Sequence, residues 1–285
     1  PVLWNAEQPY LYTLTLQAGA ETIEQKVGIR WISVEEGKIL INGKQVKFRG
    51  VNRHDSNPYT GATVTREDVI RDLQLMKESN VNAIRTSHYP NAPYFPELCS
   101  EYGFYMIAEA DLESHGVGTL YTNDGHDCMG YIAQDDAWAE SILDRQKRNV
   151  IRDKNQSAVI FWSLGNESGY GGNFEDAGRW VKAYDPTRLL HYEASIYDSA
   201  GYHNDVSMLD VMSRMYADTE WVKEYCEDRR MRKPFIQCEF IHAMGNGPGD
   251  IHDYMELMYK YDKFCGGFVW EWCDHATWEG KAADG

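Results

Sequence analysis

Two glutamates, Glu167 and Glu239, each follow a short apolar run that reads as a buried strand. Residues 158–162 lead to Glu167, and residues 235–238 lead to Glu239. Strands of this kind in a (β/α)8 barrel present polar side chains at one rim. Two carboxyl groups about 5 Å apart can cleave a glycosidic bond with retention, one as acid and base, the other as nucleophile. The sequence therefore predicts a catalytic pair; the alternative is two structural acids in ion pairs.

Other polar residues follow the ends of the predicted strands. In a parallel barrel these ends converge on one mouth, so the residues are expected to lie together, although each alone could be a hydrogen-bonded core or rim residue. A nucleophile close to Arg85 would be held ionised, which makes a contact between Arg85 and Glu239 a testable hypothesis. The residues at strand ends are His54, Arg85, His88, Asp111, Glu113, His115, Asn166, Tyr216 and His242.

Glu113 and His115 place two potential metal ligands two residues apart. Together with Glu167 they could bind a hard divalent cation such as Mg2+, although an imidazole in a mostly oxygen shell is unusual for that ion. The alternative from spacing alone is that the Glu-x-His pair forms hydrogen bonds within the site.

Short apolar strands alternate with amphipathic helices after residue 48, which predicts βαβ units, a parallel sheet and, with eight repeats, a (β/α)8 TIM barrel. Helices are predicted from a capping-box pattern at Thr65 and Asp68, from an apolar stripe over residues 174–184, and from residue 250 onward. The eight predicted strands are residues 48–54, 82–88, 105–111, 158–167, 189–193, 211–216, 234–240 and 266–272.

The N-terminal residues have a different pattern. Apolar residues alternate over 10–16 and again over 23–29, which predicts a hairpin with one buried face. Because an isolated hairpin is marginally stable, residues 1–33 are expected to be the last strands of a β-sandwich domain, and residues 34–285 the barrel. A second hairpin is predicted at residues 38–48, with Asn42 and Gly43 in a type I′ turn.

The composition narrows the classes of molecule that the protein is expected to bind. A net charge of −16 disfavours nucleic acid and anionic membranes and suits a neutral substrate. No apolar run is long enough to span a membrane. The six cysteines show no CxxC spacing and are expected to be free, mostly buried thiols; they leave the compartment, cytoplasmic or periplasmic, open.

Six stretches carry a family resemblance: residues 50–54, 85–91, 113–116, 162–168, 238–246 and 267–270. Together, and in this order, they resemble the central domain of glycoside hydrolase family 2, the large multidomain bacterial β-galactosidases. The resemblance covers residues 34–285, and the N-terminal hairpin looks like the end of the family's preceding immunoglobulin-like domain.

The resemblance implies residue roles. Glu167 matches the acid/base, Glu239 matches the nucleophile that forms a covalent glycosyl-enzyme ester, and Mg2+ would be bound by Glu113, His115 and Glu167. The implied substrate is a terminal β-D-galactoside, because the stretch after Glu239 looks unlike that of the related β-glucuronidases. The implied substrate-binding set is His54, Arg85, His88, Asn166, Tyr216, His242 and Trp270.

For a longer parent polypeptide, the resemblance also implies flanking β-sandwich domains, a Na+ site and a homo-oligomer. Some residues of the family's sugar site come from those other parts, so the isolated chain is expected to be capable of folding yet nearly inactive. Two alternatives stay open from sequence. One is another β-glycosidase, such as a glucuronidase or mannosidase; the other is a barrel that binds glycans without cleaving them.

Overall fold

The structure is a computed structural model that describes residues 1–120, 130–197, 203–243, 245, 247 and 249–281, without side chains for residues 118–120. The N-terminal residues form two small antiparallel sheets. The first sheet pairs β1 (Tyr12–Ala18) with β2 (Glu21–Val27). The second contains β3 (Ile32–Glu35), β4 (Lys38–Ile41) and β5 (Lys44–Gln45). Both predicted hairpins are therefore confirmed.

The second sheet shows why its turns are tight. Asn42 and Gly43 have φ angles of 55° and 74°, and Glu36 and Gly37 in the preceding turn have φ angles of 51° and 77°, so both connections use left-handed backbone. Strand β3 was not predicted, and the predicted boundary after residue 33 lies within it. The division into two domains stays a prediction. Ile39 and Ile41 of β4 are buried in the same core as the barrel.

The predicted buried face of the first hairpin is wrong for this chain. Leu14, Leu16 and Ile23 are each about half exposed, at 47%, 53% and 53%. The alternating pattern is present, but no layer of the described residues covers these side chains. That the hairpin ends a β-sandwich stays a prediction.

Eight parallel strands form one nearly closed barrel, which confirms the predicted (β/α)8 fold. Their order around the sheet is β10-β9-β8-β7-β6-β13-β12-β11. Each predicted strand is present, although all eight are shorter than predicted. The strands are β6 (Phe48–Arg53), β7 (Ala83–Thr86), β8 (Tyr105–Glu109), β9 (Val159–Ser163), β10 (Leu189–His191), β11 (Met212–Met215), β12 (Phe235–Phe240) and β13 (Phe264–Val269).

Helices cover the outside of the barrel. Helix α1 begins with the predicted capping box, in which Thr65 and Asp68 satisfy each other's backbone N–H groups. The predicted helices over residues 174–184 and after residue 250 are confirmed as α6 and α8. The helices are α1 (Arg66–Glu78), α2 (Tyr94–Tyr102), α3 (His115–Leu120), α4 (Gly130–Gln134), α5 (Ala139–Asp153), α6 (Gly172–Tyr184), α7 (Thr219–Glu227) and α8 (Ile251–Lys260).

The barrel is closed differently between β10 and β11, which form no strand pairing among the described residues. The Asp210 backbone N–H donates to Leu190 O at 3.0 Å, and the Asp210 carboxylate accepts from Leu190 N–H at 2.6 Å. Further along, His191 Nε2 lies 2.9 Å from Ser213 Oγ. Side-chain hydrogen bonds and the backbone bond between Asp210 and Leu190 therefore join this edge, where a continuous backbone ladder joins the others. We call it the β10–β11 seam.

The cysteines and the helices agree with two further expectations. The five cysteines in the described residues are free; Cys273 is exposed and the other four are buried. Cys128 lies outside the described residues. Among the helices that the structure describes, none is both long and apolar enough to cross a membrane.

Candidate active site

The guanidinium of Arg85, on β7, joins most of the predicted site. It is fully buried and donates to Glu239 Oε1 at 2.9 Å and to Asn166 Oδ1 at 2.8 Å. The predicted contact between Arg85 and Glu239 is confirmed. Since Asn166 directly precedes Glu167, one side chain connects the ends of β9 and β12 that carry the two predicted glutamates.

Glu239, on β12, is held from two sides. Arg85 contacts one carboxylate oxygen, and the Tyr216 hydroxyl donates to the other at 2.9 Å. The Tyr216 backbone N–H also donates to Glu239 O, which fixes the phenol relative to the strand. Tyr216 has a φ of 52°, a left-handed conformation that is strained for a tyrosine and is frequent at functional sites. Both oxygens of Glu239 are therefore oriented before any substrate binds.

Glu109 is a site residue that the sequence analysis missed. It is fully buried on β8 and accepts from Arg85 Nε at 2.7 Å and from Arg85 Nη2 at 3.0 Å. His88 Nδ1 lies 2.7 Å from Glu109 Oε1. Burial alone would raise the pKa of Glu109, but the positive charge of Arg85 and the hydrogen bond with His88 lower it to about 2. Glu109 therefore stays ionised and pairs with Arg85.

Asn52, on β6, was also missed. Its Oδ1 accepts from Arg85 Nη1 at 3.0 Å, and its amide donates to Cys238 O at 2.8 Å. For both residues a signal existed in the sequence, because a charged or amide side chain inside an apolar strand must be paired when it is buried. The set of side chains that contact Arg85 is thus completed by residues within strands, not beyond their ends.

Aromatic and imidazole rings line the mouth beside Glu239. His88 stacks on Trp270 with ring centroids 5.2 Å apart, and His54 meets both rings edge-on at 5.5 Å. His242 meets Trp270 at 6.3 Å and Tyr216 at 6.4 Å. Rings of this kind offer apolar faces to the C–H groups of a sugar and polar edges to its hydroxyls. The structure therefore brings the predicted substrate-binding residues into one cluster.

His54 is neutral in this cluster. Burial lowers the pKa of His54 to about 4, with further lowering by the neighbouring His88 and His275. Its Nδ1 lies 3.2 Å from the Tyr89 hydroxyl. A neutral imidazole keeps one donor and one acceptor, so His54 can exchange hydrogen bonds with uncharged hydroxyl groups.

Glu167 lies just beyond β9, where the backbone turns sharply. Gly165 has a φ of 140°, and a Cβ there would come within 2.7 Å of both Leu112 Cβ and Leu112 O. Asn166 N–H then donates to Leu112 O at 2.8 Å, and Asn166 forms a bridge with Glu113. Glu167 itself has a φ of 37°. This strained turn directs Glu167 toward the residues that follow β8.

The predicted metal ligands come together at this turn. One ligand atom from each of Glu113, His115 and Glu167 lies within 4.8 Å of the others. His115 Nδ1 is 2.8 Å from Glu167 Oε2, and Asn166 Nδ2 donates to Glu113 Oε2. Two carboxylates and one imidazole, all partly open to solvent, are donors that a hard divalent cation can accept. Asp111, by contrast, is exposed and lines a separate surface pocket with Arg148.

Comparisons with known proteins identify the family of this chain. Residues 32–284 match the family described as "Glycosyl hydrolases family 2, TIM barrel domain". The chain is 49% identical to a beta-galactosidase of Actinobacillus pleuropneumoniae and 47% identical to one of Staphylococcus xylosus, over 99% and 98% of its own length. It spans only 30% and 28% of those two relatives.

Solved structures support the same fold. A beta-D-glucuronidase from Dictyoglomus thermophilum superposes with a TM-score of 0.71 and 25% identity, over 98% of this chain and 54% of that one. A beta-glucuronidase from Ruminococcus gnavus gives a TM-score of 0.75 at 22% identity, over the same shares, which speaks for the fold alone. From its matched residues and its relatives, the chain belongs to glycoside hydrolase family 2, as the TIM barrel domain of that family.

Proposed function

We propose that the full-length protein carrying this barrel hydrolyses terminal β-D-galactosides with retention, through a covalent glycosyl ester on Glu239. The observation that carries the proposal is the different setting of the two glutamates. Glu239 is nearly buried, and both of its oxygens accept hydrogen bonds, from Arg85 and Tyr216. Glu167 has a side chain that is 36% exposed and contacts His115. A fixed carboxylate suits attack on the anomeric carbon, and an accessible one suits proton exchange with the leaving group and water.

The two steps then use the same residues in turn. In the first, Glu239 attacks the anomeric carbon while Glu167 gives its proton to the departing oxygen. In the second, Glu167 takes a proton from water, and that water displaces Glu239 and releases the sugar with its original configuration. The Tyr216 hydroxyl and Arg85 stay on the Glu239 carboxylate and stabilise the charge that returns to it.

The contacts of the Arg85 guanidinium favour an uncharged sugar as the glycone. Its guanidinium already donates to Glu109, Glu239, Asn166 and Asn52, so its charge is committed to the protein and not offered to a substrate carboxylate. The relatives named beta-galactosidase are 47% and 49% identical, whereas the glucuronidase structures are 22% and 25% identical. Both observations favour a galactoside over a glucuronide.

Mg2+ is proposed at Glu113, His115 and Glu167. The donor set fits, because each residue supplies one atom within 4.8 Å of the others. When bound, the ion would supply positive charge beside Glu167. Asn166 is the residue that couples the two halves of the site, since its amide donates to Glu113 and its oxygen accepts from Arg85.

The proposal is tested with matched 4-nitrophenyl glycosides on the full-length protein. We expect kcat/KM for the β-D-galactoside to exceed those for the β-D-glucuronide and β-D-mannoside by about 100-fold or more. A higher value for the glucuronide would overturn the substrate assignment. The first product, observed by NMR, should be the β-anomer.

Variants then assign the roles. Glu239→Gln should lower kcat by at least about 10³-fold. Glu167→Gly should be partly rescued by azide, with a β-galactosyl azide as product, because azide needs no base in the second step. Glu256→Gln, on the exposed face of α8, is the control and should leave kcat unchanged. A fully active Glu239→Gln protein would remove Glu239 as the nucleophile.

A further inference from the structure

A chain of buried hydrogen bonds leads from the β10–β11 seam to Glu109. Ser213 Oγ lies 2.9 Å from His191 Nε2, His191 Nδ1 lies 3.0 Å from Ser163 Oγ, and Ser163 Oγ lies 2.8 Å from Glu109 Oε2. His191, Ser163 and Glu109 are all fully buried, and Ser213 is 2% exposed. None of the three residues beyond Glu109 belongs to the set that the proposed reaction uses.

Counting hydrogens fixes the direction of every bond. The ionised Glu109 carboxylate only accepts, so the single hydroxyl hydrogen of Ser163 is donated to it. Ser163 Oγ can then only accept from His191, which places the imidazole hydrogen on Nδ1. A neutral imidazole has no second hydrogen, so Nε2 accepts from the Ser213 hydroxyl.

The neutral state of His191 follows from its surroundings. Burial lowers the pKa of His191 to about 3, and the positive charge of Arg85 lowers it further. The imidazole therefore keeps one tautomer over the pH range in which glycosidic bonds are cleaved. Its position is fixed from both sides, by β9 through Ser163 and by β11 through Ser213.

We propose that His191 is a positioning residue that orients the Ser163 hydroxyl toward Glu109, so that Glu109 holds Arg85 and His88 against Glu239. The proposal rests on the proposed nucleophilic role of Glu239. Glu109 Oε2 accepts from Ser163 and Arg85 Nε, and Oε1 accepts from Arg85 Nη2 and His88. Each oxygen thus has two partners. Loss of the Ser163 bond would free the carboxylate to rotate, and Arg85 would rotate with it.

Two substitutions at His191 separate polarity from packing. His191→Leu removes both ring nitrogens and fills the space of the imidazole with an apolar side chain of moderate size. His191→Gln keeps a donor for Ser163 and an acceptor for Ser213. In the full-length protein, we expect His191→Leu to lower kcat for the nitrophenyl galactoside by about 10- to 100-fold, with KM within about threefold, and His191→Gln to stay within about threefold of wild type. The exposed His252→Gln serves as the matched control.

Crystal structures of the same variants provide a readout that does not depend on activity. The distance from Arg85 Nη1 to Glu239 Oε1, 2.9 Å here, should lengthen by about 0.5 Å or more in His191→Leu and remain unchanged in His191→Gln. If Glu239→Gln retained activity, the proposed function would fail, yet this distance would still test the positioning role.

Two outcomes would overturn the proposal. One is a folded His191→Leu protein with wild-type kcat and an unchanged distance from Arg85 to Glu239. The other is an equal loss in His191→Leu and His191→Gln, because polarity would then be irrelevant. If His191→Leu does not fold, Ser163→Ala removes the same link to Glu109. Because Ser163 itself makes the bond to Glu109, the kcat of this variant should also fall by about 10- to 100-fold, and an unchanged kcat would equally overturn the proposal.

Discussion

Replacing Arg85 with lysine tests the central contact of the site while keeping its charge. Arginine presents five donors in a planar fork, whereas lysine presents three from a single point. Arg85 makes five hydrogen bonds of 3.0 Å or shorter, to Glu109, Glu239, Asn166 and Asn52. At least two of the five must therefore be lost in Arg85→Lys.

The size of the effect follows from these contacts. A hydrogen bond to a charged group contributes about 1.5–3 kcal/mol, so the loss of two amounts to about 3–6 kcal/mol. If one of the two lost bonds is the bond to Glu239, the transition state loses about 1.5–3 kcal/mol of stabilisation, which lowers kcat/KM by about 10- to 150-fold. The remainder should appear as a lower Tm.

The assay compares kcat/KM for the nitrophenyl galactoside and Tm by calorimetry, in the full-length protein. Arg49→Lys is the matched control, because the Arg49 guanidinium is partly exposed, donates to Asn80 O and lies 3.9 Å from Glu7. Its effect should stay within about 0.5 kcal/mol. A folded Arg85→Lys protein with wild-type kcat/KM and Tm would refute the reasoning, because the five bonds would then contribute nothing that three cannot.

Three further expectations concern pH, the turn and the metal. The pKa of Glu109 is lowered from 4.5 to about 2, so the stability that ionised Glu109 gives the folded protein is complete above pH 4.5 and lost as the pH falls toward 2. Between these two pH values, Tm should fall more steeply in wild type than in Glu109→Gln. Equal slopes would contradict this. Gly165→Ala should lower Tm and kcat/KM more than the control Gly61→Ala. Gly61 also has a positive φ, but no atom lies within 4 Å of a Cβ added there. Equal effects would mean that the contact with Leu112 is unimportant. A chelator should lower activity and Mg2+ restore it, with about tenfold more Mg2+ needed in Glu113→Gln; activity that is insensitive to chelator would exclude the metal site.

The barrel could be predicted from sequence because its strands and helices have different periods and clear ends. The two glutamates, the other candidate metal ligands and the rings of His54, His88, Tyr216 and His242 were predicted because each lies at or just beyond the end of an apolar strand. Trp270 was predicted only from the family resemblance. The turn at Asn42 and Gly43 and the capping box at Thr65 were equally predictable, because both depend on local backbone geometry.

Other features depend on contacts between distant residues. Glu109 and Asn52 lie inside strands, and only the fold shows that both face Arg85. The apolar residues of the first hairpin alternate as in a buried sheet, but alternation alone does not say which surface would cover Leu14 and Leu16. The β10–β11 seam has no local signature, because Asp210 and Leu190 meet only when the barrel closes.

The β10–β11 seam has a consequence for how the sugar pocket can vary among related sequences. Tyr216 follows β11 directly, so the phenol that contacts Glu239 is attached to the edge at which no strand ladder forms among the described residues. A shift of β11 relative to β10 disturbs a few hydroxyl, imidazole and carboxylate contacts, whereas a shift between other neighbouring strands would break a continuous ladder of backbone hydrogen bonds. Exchanges of residues such as Ser213 or Asp210 can therefore adjust the width of the pocket in small increments while the rest of the cylinder keeps its shape.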